Sequence, residues 1–147
     1  MKNSKTLKFI WWIYIILLFL IVIVKFKGSF AQLENKISAT PFGANCNIIP
    51  FDTIKMLIDY YSEGWARLNI FGNIIPFMPF GFFLPLAFRK MNKFRFVFIC
   101  GLSFVLFAEI FQFFTRLGSF DIDDIFLNMI GIISGYLIMK FFKVDIY

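Results

Sequence analysis

The chain has 147 residues, of which 60% are hydrophobic and 22% aromatic, with 24 phenylalanines and a mean hydropathy of +0.79. So much apolar surface cannot be hidden in a water-soluble core of this size, because small domains bury only part of their surface on folding. The excess of 15 Lys and Arg over 9 Asp and Glu gives a net charge of +6, which in so apolar a chain reads as juxtamembrane charge rather than as a nucleic-acid footprint. There is no histidine, so imidazole triads and His-ligated zinc are excluded, and neither a P-loop nor a G-x-G-x-x-G occurs.

The composition predicts an all-α integral membrane protein, a single membrane domain over residues 1–147 with four transmembrane helices. The first span, residues 7–24, is uniformly apolar from Phe9 to Val24, which is the pattern of a peripheral anchoring helix with Trp11, Trp12 and Tyr14 toward the inner interface. Ser29-Phe30-Ala31 resembles a signal-peptide cleavage site, but the long apolar stretch and the intervening Lys25 and Lys27 favour a retained anchor.

An external segment, residues 25–67, follows. Beyond Pro50 and Phe51, either Asp52 or Thr53 is expected to cap a helix that carries Ile54, Leu57, Ile58, Tyr61, Trp65 and Leu68 on one face. This is an amphipathic helix for the outer interface, lying in the headgroups or plugging the spans. Asn47-Ile-Ile-Pro-Phe51 recurs as Asn73-Ile-Ile-Pro-Phe77, the second copy inside the second span, residues 68–88. Pro76, Pro79 and Pro85 remove helical donors, so this span is predicted to be broken, with Asn69 to Gly81 turned inward.

The third span, residues 94–114, carries Glu109, Gln112 and Arg116 at i, i+3 and i+7, a polar stripe that lipid would penalise. In the fourth span, residues 122–142, the positions Asp121, Asp124, Asn128, Gly131 and Gly135 form a second stripe. Gly131-x-x-x-Gly135 is expected to pack on the third span, and Asp123, off the stripe, to face solvent. Cys46 and Cys100 are expected at different depths and unlinked.

Lys and Arg set orientation. The four cations Arg89, Lys90, Lys93 and Arg95 share one short turn with no acid, and with Lys2, Lys5, Lys8, Lys140 and Lys143 they predict both termini in the cytoplasm. The two polar stripes would then meet in the outer leaflet. There Arg116 suits a phosphate or carboxylate, and Asn47, Asn73, Gln112 and Asn128 suit amide or sugar groups. Asp121 and Asp124 join the candidate ligand-binding set, and Glu109 is an acceptor or the one candidate general base. A buried Glu109–Arg116 pair that merely fixes helix register is the competing reading. Glu109, Asp121 and Asp124 have the oxygen chemistry for Ca²⁺ or Mg²⁺, but Arg116 already supplies countercharge, so neither metal nor cofactor is expected.

In order along the chain, Asn47-Ile-Ile-Pro50-Phe51, Asn73-Ile-Ile-Pro76-Phe-Met-Pro79-Phe-Gly81-Phe-Phe-Leu-Pro85, Glu109-Ile-Phe-Gln112 with Arg116, and Asp121-Ile-Asp-Asp124 with Asn128, Gly131 and Gly135 resemble the VanZ-like membrane proteins. The resemblance covers roughly residues 47–138 and implies a multi-pass protein of the bacterial cytoplasmic membrane. It also implies a link to teicoplanin-type lipoglycopeptide resistance, through the family's namesake, or to cell-envelope homeostasis. It assigns no chemical role to the motif residues. Three classes of function stay open: a protein binding membrane lipid, a lipid-linked cell-wall precursor or the lipoglycopeptide; an intramembrane enzyme acting on a lipid-linked headgroup; and a partner subunit of a cell-envelope complex.

Overall fold

The computed structural model describes residues 2–23 and 46–142. Lys143, the Ser29-Phe30-Ala31 segment and the first part of the external segment lie outside these residues. The chain forms α1 (Lys2–Ile23), a short strand β1 (Cys46–Asn47) and α2 (Asp52–Asp59). Then come α3 (Gly64–Ile74), a 3-10 turn over Ile75–Phe77, α4 (Met78–Ala87) and a second 3-10 turn over Arg89–Met91. A long α5 (Phe94–Thr115), a second short strand β2 (Phe120–Asp121) and α6 (Ile122–Phe141) complete it.

Four segments are long and apolar enough to cross a membrane: Lys5–Val22, Gly64–Ala87, Phe94–Thr115 and Ile122–Phe141. The protein is therefore an all-α membrane bundle, with the second crossing starting four residues earlier than Leu68. The fourth crossing is the centre, since 56% of it is buried against 17% of the first. Around α6 pack α4, α5 and α3, while α1 lies outside α4 and α5. Its few buried side chains, Trp11, Leu18 and Val22, face inward, and Trp11 packs edge-on against Phe80 at 4.9 Å.

The second crossing is interrupted where proline denies it donors. Pro76 lies in the first turn of the 3-10 segment, Pro79 in the first turn of α4, and Pro85 inside α4. The Tyr14 hydroxyl donates to the Pro76 carbonyl at 2.7 Å, so α1 supplies a donor at the break. Such backbone is tolerated in a membrane only where protein satisfies it.

Close backbone approach defines the α4–α6 seam. A Cβ on Gly135 would lie 1.8 Å from the Met78 carbonyl oxygen, one on Gly131 2.2 Å from that of Ile74, and one on Gly81 1.8 Å from that of Ile132. The Gly131/Gly135 pair thus packs on the second crossing, not on the third as its spacing led us to expect. The reason is that the proline-broken segment brings its own carbonyls against α6, whereas α5 meets α6 through side chains, with Gly101 against Ile132. Small-residue spacing marks a close contact without naming the partner. Asn69 is a second correction: it is exposed and donates to the Trp65 carbonyl of its own helix at 2.8 Å, so of the residues from Asn69 to Gly81 the first fully buried one is Asn73.

Candidate functional site

The polar residues converge on the N-terminus of α6. Four donors there lack helical partners, and the helix dipole favours negative charge. Asp121 is the N-cap, its carboxylate accepting from the Asp123 amide at 2.9 Å. Its other oxygen accepts from the Thr53 hydroxyl at 2.6 Å, and Thr53 in turn accepts from the Asn47 side-chain amide at 2.8 Å. The Asp121 backbone N–H donates to Glu109 of α5 at 3.2 Å. One residue thereby joins β1, α2, α5 and α6, and the two-residue parallel ladder pairing Asn47 with Asp121 holds the register.

Asp123 performs a second cap, on a different helix. It is fully buried, and its two oxygens accept from the backbone N–H groups of Phe51 at 2.7 Å and Ile54 at 3.0 Å. Those are the N-cap and third positions of α2, so an acid 72 residues away satisfies the orphan donors that a local Ser, Thr or Asp normally satisfies. This corrects two expectations: Asp123 does not face solvent, and neither Asp52 nor Thr53 caps α2. The N-cap is Phe51, in the left-handed region at φ 67°, a strained position for a bulky residue. Its ring stacks on Phe126 of α6 at 5.6 Å. The stripe on α6 missed Asp123 because helix arithmetic sees one packed face, and α2 covers another.

Asn73 donates to the Asp124 carboxylate, so the two copies of Asn-Ile-Ile-Pro-Phe each direct their asparagine at the same acidic turn. Asn47 lies beside Asp121, at 3.5 Å, and Asn73 reaches Asp124. Glu109, Asp123, Asn73 and Asn128 are each 1% exposed or less. Asn128 lies one turn below Asp124 on α6 and one turn above Gly131, hence on the face turned to α3. Its side-chain oxygen is buried with no hydrogen-bond partner, a costly arrangement for an amide acceptor.

The VanZ/LLP1 sequence pattern matches residues 11–143. The chain belongs to the VanZ/LLP1 family. It is also similar to Protein VanZ of Enterococcus faecium, with 28% identity over 137 residues covering 88% of this chain and 69% of that one. No solved structure matches it significantly. The family match includes all four ordered segments whose polar residues meet at the α6 N-terminus.

Two further residues singled out in the sequence lie on α5 and at its end. Gln112 is buried and donates to the Val22 carbonyl at 2.6 Å, tying α5 to the last turn of α1. Arg116 is the C-cap of α5, left-handed at φ 58° and half-buried. The regular helix ends at Thr115, one residue before it. Pro50 precedes the α2 cap and is exposed. Cys46 and Cys100 are both free thiols. Among the described residues no three His, Cys, Asp or Glu side chains gather in a way that would hold a metal ion.

Thr53 was missed as a site residue, although it bridges Asn47 and Asp121. Its only sequence signal was its place in the first turn of an amphipathic helix.

Proposed function

We propose that this protein acts in the bacterial cytoplasmic membrane as an envelope-defence protein that lowers susceptibility to teicoplanin-type, acylated glycopeptides. In this reading the α6 N-terminus lies toward the cell exterior and engages an amphiphile, either the antibiotic or the lipid-linked precursor it targets. Family membership supports the resistance role. The residue assignment rests on one observation, the unpartnered Asn128 carbonyl oxygen buried one turn below the acidic cluster. That acceptor suits an amide or hydroxyl donor of a sugar or peptide headgroup. The exposed Ile48, Ile49 and Phe51, between Asn47 and the start of α2, offer apolar surface for an acyl chain. Parting the α3–α6 seam at the Asn73–Asp124 pair would open a route to Asn128.

Charge supports this orientation. Lys5, Lys8, Arg89, Lys90, Lys93, Arg95 and Lys140 lie at the opposite end, a Lys and Arg excess of the kind that favours the cytoplasmic side.

The test is expression of wild type, Asn128→Leu and Glu109→Gln at matched membrane levels in a susceptible Gram-positive host. A rise in the inhibitory concentration of teicoplanin but not of vancomycin is expected, with Asn128→Leu removing it while the protein stays folded. Equal susceptibility with properly inserted wild type would overturn the proposal. Loss with Glu109→Gln accompanied by a changed lipid profile would favour an enzyme instead.

A further inference from the structure

At the end of the bundle away from the acidic cluster, a cavity of about 320 Å³ opens between α1 and the α4–α5 connection. It is lined by Lys8, Ala87, Phe88, Arg89, Lys90 and Met91. Three cations from two separate elements therefore converge on one concavity, and its remaining wall is apolar. Lys8 is held over the Phe88 ring, its Nζ 5.7 Å from the centroid, and Trp11 packs edge-on to the same ring at 6.4 Å. The cavity is thus framed by packed aromatic side chains.

The charge around it is one-sided. Lys5, Lys93, Arg95 and Lys140 lie at the same end, and Lys140 bonds the Asn92 side chain at 2.8 Å. Among the described residues every acid lies on α2, on the turn after it, on α5 at Glu109 or at the α6 N-terminus. Among the described residues, then, no acid lines the cavity to neutralise its cations. Lys8 sits within the first turns of one crossing and Arg89 two residues beyond another, which puts the cavity at headgroup level.

We infer that this cavity binds the phosphate headgroup of an anionic membrane phospholipid. Lys8, Arg89 and Lys90 meet the phosphate, and Ala87, Phe88 and Met91 contact the first carbons of the acyl chains. A basic recess between membrane helices is suited to such headgroups, and each cation near the surface strengthens the attraction. The site is independent of the amphiphile reading above, being at the other end of the molecule and using none of its residues.

The experiment purifies the full chain from phosphatidylcholine vesicles containing a minor fraction of phosphatidylglycerol and counts retained lipid by native mass spectrometry. Wild type is expected to retain phosphatidylglycerol selectively. Arg89→Gln with Lys90→Gln, and separately Lys8→Gln, should weaken retention about tenfold. The charge-matched pair Lys93→Gln with Arg95→Gln, outside the cavity, should leave it nearly unchanged, and Lys8→Arg should restore it. Circular dichroism of each variant separates lost binding from lost fold. Equal loss in both double variants would overturn the site in favour of diffuse attraction. Displacement of the lipid by millimolar inorganic phosphate alone would overturn it in favour of a soluble anion.

Discussion

The two ends of this bundle solve opposite electrostatic problems. At the α6 N-terminus the carboxylates of Asp121 and Asp123 are taken out of solvent and accept from backbone and side-chain donors of α2, its N-cap and α6. At the far end the cations Lys8, Arg89 and Lys90 stay exposed around an open recess. The difference follows from what each end holds. The acidic end caps two helix N-termini and anchors α2, so its charges have structural donors to meet. At the basic end Tyr136 and Lys140 tie α6 to Asn92, and the cations around the recess are the ones the lipid-headgroup proposal uses.

A change that breaks both ends together should have the largest effect. Gly135→Leu places side-chain atoms where the Met78 carbonyl stands, and is expected to cost more than about 4 kcal/mol and to unfold the bundle in detergent. The paired control is Gly72→Ala, where no atom lies within 4 Å. It should be neutral or stabilising by up to about 1 kcal/mol in the same denaturant titration.

Asp123→Ala should break the acidic end alone. Two part-buried N–H groups of the α2 cap lose a charged acceptor, a loss of about 2 kcal/mol. Amide hydrogen exchange at Phe51 and Ile54 should accelerate strongly while the α6 C-terminal turns stay protected. Uniform acceleration along α6 would show that the two ends are not separable.

Tyr136→Phe is the corresponding change at the basic end, removing a single hydroxyl bond of 3.1 Å to the Asn92 carbonyl. A cost of about 1 kcal/mol is expected, with no change in exchange at Phe51. A cost as large as that of Asp123→Ala would contradict the view that this end is lightly bonded.

Much of the architecture was legible in the chain because lipid imposes a simple rule: each crossing must be a long apolar helix with its backbone bonds satisfied internally. The four crossings emerge within a few residues of the structural boundaries for that reason. The candidate site was legible because buried polar residues are rare in such helices, so Asn73, Glu109, Asp121, Asp124 and Asn128 stood out against a background of Phe and Ile. Asp123 and Thr53 did not, since an acid before an apolar helix and a threonine in a first turn each have ordinary local explanations.

What the sequence determined by itself was therefore the membrane class, the four crossings, the proline interruption and the residues that do not belong in lipid. These follow from hydropathy, backbone donors and spacing, which are local properties. Only the tertiary structure decided that Gly131 and Gly135 meet the broken second crossing, that Asp123 caps a helix 72 residues away, and that Lys8 joins Arg89 and Lys90 around one recess. Each of these is a choice of partner across the fold. Helical periodicity names the face of a helix, and packing alone names what lies against it.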